Sequence, residues 1–205
     1  MASTSLSELW AGAVNAWVLG NEVLYLSPVD QAIGTIKPLD LPYPAVFEVT
    51  AFEPAGPVLI DVSTRLDPHS SCSGFEALNV LKTDYIATDP LLSTLPTWPT
   101  FGFDSTGYRE DGIGIGCMHS MLSSVRDKLL AIAKLFGQGA IYEFHTSSNH
   151  TLIRSTVPTT AAFNDTSASV QVCRVDRPPD WSGGWGRDIW HPTAFYAEEF
   201  RTSKD

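Results

Sequence analysis

Between residues 112 and 145 the chain changes its hydrophobic period twice, and few architectures accommodate both changes. Gly112-Ile113-Gly114-Ile115-Gly116-Cys117 reads as a buried strand whose glycines admit close backbone approach. From Ser120 to Phe136 the apolar residues Leu122, Val125, Leu129, Ile132, Ala133 and Phe136 fall at helical spacing, and Gly137 supplies the stop. Gly139–His145 and Thr151–Val157 then alternate as a hairpin does. A helix held between a strand and a hairpin has to bury its apolar stripe against the sheet they form.

The flanking segments fit the same reading. Ala45–Phe52 is β-branched and aromatic and ends at Glu53-Pro54-Ala55-Gly56, so a strand is expected there, with a second at Val58–Val62. Residues 74–87 carry Phe75, Leu78, Leu81, Tyr85 and Ile86 on one side of a helix. Residues 5–19, with Leu6, Leu9, Trp10, Ala13, Trp17 and Val18, predict an amphipathic helix opened by the capping box Ser5 to Glu8. Residues 25–44 read as loop and short extended pieces, and prolines 90, 96 and 99 make the next stretch extended. A further strand is expected at Ser169–Val175 and a short helix near 194–201. The expected fold is a single α/β domain over residues 1–205: a mixed, largely antiparallel sheet with helices packed on it.

Composition narrows the class of partner. The chain has 205 residues, 43% hydrophobic and 18% charged, which is enough to bury a core without a disulfide or metal. Its formal net charge of −10, with no run of Lys and Arg, disfavours a nucleic-acid or anionic-membrane partner. Cys72, Cys117 and Cys173 are widely spaced and form no Cys-x-x-Cys pair, so reduced thiols and a cytoplasmic setting are expected. No stretch approaches the length of a membrane span, and the N-terminal residues lack the basic start of a signal peptide.

Three strings occur in order across the middle of the chain: Thr50-Ala51-Phe52-Glu53-Pro54, Gly102-Phe103-Asp104-Ser105-Thr106-Gly107-Tyr108-Arg109-Glu110, and Phe136-Gly137-Gln138-Gly139-Ala140-Ile141. Together they resemble a bacterial family known as domain of unknown function 3293 over roughly residues 45–157. The chain departs from that pattern at Glu53 and Gly139, where the family has asparagine. The resemblance implies a shared core and carries no activity to transfer. Residues 1–44 and 158–205 lie outside it, as an N-terminal helix and loop and a Trp- and Gly-rich extension.

Among polar residues Glu110 stands out, because it follows a glycine turn and precedes an apolar strand, where desolvation raises a carboxyl pKa. Asp104 and Asp111 are close in sequence, and paired carboxylates divide acid and base roles. The competing reading has Asp104 capping its own turn and Glu110 paired with Arg109. Gln138, where the helix stops, either orients a substrate or satisfies helix-end carbonyls. Tyr108 and the tryptophans Trp181, Trp185 and Trp190, interleaved with glycines, suit either a cover over a ligand or a core edge. Cys117 with His119, and Glu143 with His145, are the remaining candidates for nucleophilic or metal chemistry, although no His-Glu-x-x-His motif is present.

The leading expectation is an enzyme without organic cofactor or metal that acts on a small polar molecule. Glu110, Gln138 and Asp104 would be catalytic, and Tyr108, Trp181, Trp185 and Trp190 would bind substrate. One alternative is a protein-binding module using the acidic surface and the Trp-rich tail. Another is a metal-dependent enzyme built on Cys117, His119 and His145.

Overall fold

The structure is a computed structural model that describes residues 10–20, 22–31, 35–37, 43–50, 59, 82–103, 109–147 and 151–174. Nine strands lie among them: β1 (Val14–Leu19), β2 (Glu22–Pro28), β3 (Thr35–Ile36), β4 (Ala45–Thr50), β5 (Thr97–Phe103), β6 (Arg109–Cys117), β7 (Ala140–Thr146), β8 (Thr151–Pro158) and β9 (Thr166–Arg174). Their order is β2-β1-β5-β6-β4-β7-β8-β9, and β9 pairs back onto β2 through Tyr25↔Cys173, Leu26↔Val172, Ser27↔Gln171 and Pro28↔Val170. Every pairing is antiparallel, so eight strands close into a barrel and β3 adds a short piece beside β9.

This corrects the expected α/β layering. Among the described residues the chain is mostly sheet, closed on itself, with one long helix α1 (Leu122–Leu135) and shorter helical segments. The error began at the N-terminus. Residues 10–12 are helical, but Val14–Leu19 is a strand, as is Glu22–Pro28, whose residues 25–28 sequence patterning read as part of a loop with short extended pieces. In β1 both faces are enclosed: Asn15 and Trp17 point into the barrel, while Val14 and Ala16 are buried on the outside. With no polar face, the strand shows no period of two, and an apolar run of that kind imitates a buried helix.

The stretch expected to be extended from Pro90 is instead a turn and a short 3-10 helix, Leu92–Thr94, before β5 begins at Thr97, while several other expectations hold. β4, β6, the β7–β8 hairpin, β9 and α1 lie within a few residues of their expected bounds, and residues 82–88 are helical. Of the expected strand at 58–62 only Leu59 is described, and it is not in a strand, its N–H reaching the Leu135 carbonyl at 2.8 Å; helical residues 74–81, the helix near 194–201 and Cys72 lie outside the described residues.

Strand alternation separates a lumen core from two apolar clusters on the outer face, one of them formed by Val14, Ala16, Tyr25, Phe101 and Cys173. Trp17, Leu24, Leu26, Val46, Trp98, Phe144, Leu152, Val170 and Val172 fill the lumen. On the outer face, Val125, Leu129, Ile132, Ala133 and Phe136 pack on Phe47 and Val49 of β4, Ile115 and Cys117 of β6, and Ile141 of β7. Each large apolar side chain buried there contributes roughly 1.5–3 kcal/mol. The helix stops where expected. Gly137 takes φ 70°, its N–H reaching the Lys134 carbonyl at 3.1 Å while the Gln138 N–H reaches Ala133 at 2.9 Å.

Candidate functional site

The antiparallel register brings the C-terminal ends of β2, β4, β5 and β8 to the same end of the barrel as the N-terminal ends of β1, β6, β7 and β9. Toward this end the inward positions include the polar Asn15, Glu48, Thr100 and Arg154 among apolar neighbours such as Leu26 and Val170. Glu48 of β4 interrupts an apolar strand and is 6% exposed. Its Oε1 accepts from Asn15 Nδ2 at 3.1 Å, and its Oε2 from Trp17 Nε1 at 3.3 Å. Burial pushes its pKa up, against the pull of those donors, the nearby Thr100 hydroxyl and the Arg154 charge. Thr100 is close enough to favour the ionised carboxylate, yet its hydroxyl makes no hydrogen bond of good geometry.

Arg154 of β8 is 1% exposed and anchors the chain entering β1. One of its nitrogens donates to the carbonyl of Ala13 at 2.5 Å and to Asn15 Oδ1 at 2.6 Å. The other donates to the carbonyls of Trp10 at 3.0 Å and Ala11 at 2.6 Å. The guanidinium also lies 5.1 Å above the Tyr142 ring, and the Tyr142 hydroxyl donates to the Trp10 carbonyl at 3.3 Å. Trp10 itself packs on Phe163 and over Gly139, where a Cβ would come within 3.0 Å of the indole. Residues 10–13 are thereby strapped across the polar end of the lumen.

Lys82, in the helical stretch 82–88, is fully buried, and its Nζ donates to the Val49 carbonyl at 3.0 Å. Burial lowers its pKa to about 7 despite the opposing charges of Glu110, Asp111 and Glu48. Glu110 is half-buried in β6 and shares a face with Gly112 and Gly114, the positions against which lumen side chains rest. It stands near enough to raise the pKa of Tyr142, which burial has already pushed up. The structure therefore groups Glu110 with Lys82, Glu48 and Tyr142.

Of the other residues expected to be functional, Gln138 is buried at the turn between α1 and β7. Its side-chain amide donates to the Phe136 carbonyl at 3.5 Å, and its own carbonyl accepts from Thr159 Oγ1 at 2.7 Å. Its described contacts thus lead to Phe136 and Thr159, whereas those of Glu110 lead to Lys82 and Tyr142. Asp104, Tyr108, Trp181, Trp185 and Trp190 lie outside the described residues.

A separate ionic cluster sits under α1. Glu143 is 2% exposed and accepts from Arg126 at 2.7 and 2.5 Å and pairs with His145 Nε2 at 2.5 Å. Burial pushes Glu143 up, but the Arg126 and His145 contacts outweigh it and hold the carboxyl low. Cys117, nearby, donates to the Met118 carbonyl at 3.3 Å, and burial followed by the Glu143 charge pushes its thiol up, the opposite of an activated nucleophile. His119 is exposed in the turn beyond it. Among the described residues no group of three or more His, Cys, Asp and Glu is arranged to hold a metal ion.

Lys82, Glu48, Asn15 and Arg154 were missed in the sequence. The available signal was a carboxylate and a guanidinium in the middle of apolar strands, Val46-Phe47-Glu48-Val49 and Leu152-Ile153-Arg154, because a charge there needs a buried partner. No protein-family model, curated protein or solved structure matches the chain.

Proposed function

We propose that the chain is an enzyme of the general acid–base type that moves a proton on a small polar molecule at the polar end of the barrel. Glu110 exchanges the proton with substrate. Lys82 is a positioning residue whose charge sets the protonation of Glu110. The observation that supports this reading is the enclosure of the Lys82 amine beside Glu110, Asp111 and Glu48, with its pKa brought to about 7. Groups that titrate near the working pH are the effective proton carriers, and buried lysines coupled to carboxylates concentrate at sites of this kind. A net charge of −10 turns the substrate class away from polyanions.

The test is hydrogen–deuterium exchange at carbon positions of small polar compounds in heavy water, followed by NMR. Wild type should catalyse exchange of at least one compound, and Glu110→Gln should abolish it while the melting temperature moves by a few degrees at most. The wild-type rate should carry a limb near pH 7 that disappears in Lys82→Met. Full exchange activity in Glu110→Gln would remove this mechanism. No helix among the described residues is long and apolar enough to cross a membrane.

A further inference from the structure

Arg154 carries a buried charge that no carboxylate pairs directly. It is 1% exposed, yet among the described residues none of the ion pairs includes it. Buried charges are as a rule paired with an opposite one, because taking an ion out of water is costly. Glu48 is near enough for its charge to act on the guanidinium, but its two oxygens accept from Asn15 and Trp17 instead. What holds Arg154 is a set of neutral oxygens: Asn15 Oδ1 and the main-chain carbonyls of Trp10, Ala11 and Ala13. A guanidinium fork matches a carboxylate in both geometry and charge, and binds it more strongly than it binds carbonyls.

The residues that supply those carbonyls are loosely tied to the barrel. The strand pairings of β1 begin at Val14, and residues 10–13 are each half-buried. Besides Arg154 and the Tyr142 hydroxyl, the strap is seated by Trp10, whose ring packs on Phe163 at 5.4 Å and over Gly139. Gly12 lies beside the Gln31 side chain, where a Cβ would stand 3.8 Å from its Nε2. Gln31 follows β2, Phe163 lies between β8 and β9, and Gly139 precedes β7, so the strap runs along that side of the mouth. Glu110, at the start of β6, stands across the mouth from β9 in the strand order. Displacing residues 10–13 uncovers Arg154 on the far side of the lumen from Glu110.

We propose that residues 10–13 are a displaceable strap, and that the carboxylate of a small monocarboxylic acid takes the place of their carbonyls on Arg154. The carboxylate satisfies the donors that the strap leaves and supplies the missing opposite charge. The rest of the acid extends toward Glu110, in a barrel whose size admits one small guest. This assignment rests on the proton-transfer reading for its site and names the substrate class, but binding itself requires no turnover.

The experiment is titration of the ¹⁵N-labelled full chain with acetate, propionate and acetamide at constant ionic strength, following the Trp10 indole N–H signal, which is identified by its loss in Trp10→Phe. Acetate and propionate should move it saturably as Trp10 leaves its seat, whereas acetamide, of the same shape without the charge, should not. Phe163→Ala removes one aromatic contact from the closed strap, so it should tighten carboxylate binding about three- to tenfold by raising the open fraction. No response to either carboxylate would overturn the proposal, as would an equal response to acetamide, or binding that Phe163→Ala leaves unchanged or weakens. Carboxylate binding by a protein that catalyses no heavy-water exchange would sink the proton-transfer reading alone. Exchange on uncharged compounds with no carboxylate binding would sink the strap alone.

Discussion

An exposed lysine stays protonated to about pH 10.4, whereas Lys82, enclosed at the polar end of the barrel, gives up its proton at about 7. Between those values the unfolded chain binds one more proton than the folded one, so the folded state gains stability as pH rises. The gain is about 1.4 kcal/mol per pH unit across that window. Below pH 7 both states are protonated and the full cost of enclosing the charge remains. Denaturant titrations at pH 6.5, 8 and 9.5 should show wild type gaining steadily on Lys82→Met; parallel curves for the two would refute the buried-amine account. At this scale the sequence was half legible. Glu110 was singled out because a turn and an apolar strand flank it, and such context is local. Lys82 was not, because nothing in its neighbours foretells that the end of β4 presents the Val49 carbonyl to it.

The glycines of β6 show how one element sets the contents of another. Gly112 and Gly114 were read in sequence as places of close backbone approach, and Thr100 and Trp98 are what approach them. Gly114→Ala should cost at least about 2 kcal/mol in urea denaturation, because its methyl meets an indole held between Tyr43 and Trp17. Gly137→Ala should cost about 1 kcal/mol, for a different reason: φ 70° strains any side chain. A Gly114→Ala protein as stable as wild type would contradict the packing described. α1 and the β7–β8 hairpin were legible because each repeats its own period over many residues. β1 was not, since its two faces are both buried and tertiary enclosure erases the alternation.

Closure of the barrel is a property of the whole molecule and has no local trace. β2 meets β9 across most of the chain, through residues 25–28 and 170–173. Arg154 likewise ties β8 to the carbonyls of Trp10, Ala11 and Ala13. Hydrogen exchange measured by mass spectrometry should therefore protect β2 and β9 as strongly as β7; early exchange confined to residues 23–27 would mean the seam opens independently. Arg154→Leu should destabilise by about 3–5 kcal/mol, since it orphans the Ala11 and Ala13 carbonyls and Asn15 Oδ1, leaves the Trp10 carbonyl only the Tyr142 hydroxyl, and removes a positive charge that acts on Glu48. Residues 11–13 should then exchange before the barrel does.

The seam between β2 and β9 also fixes an order of events during synthesis. β2 leaves the ribosome before β9, and the strand that covers its open edge is completed only when residue 173 emerges. Until then a nascent chain carries an apolar ribbon, Val23-Leu24-Tyr25-Leu26, whose backbone is open to any passing strand. Chaperone capture should be strongest for chains stalled between the completion of β2 and the arrival of β9, and should fall sharply once β9 can dock.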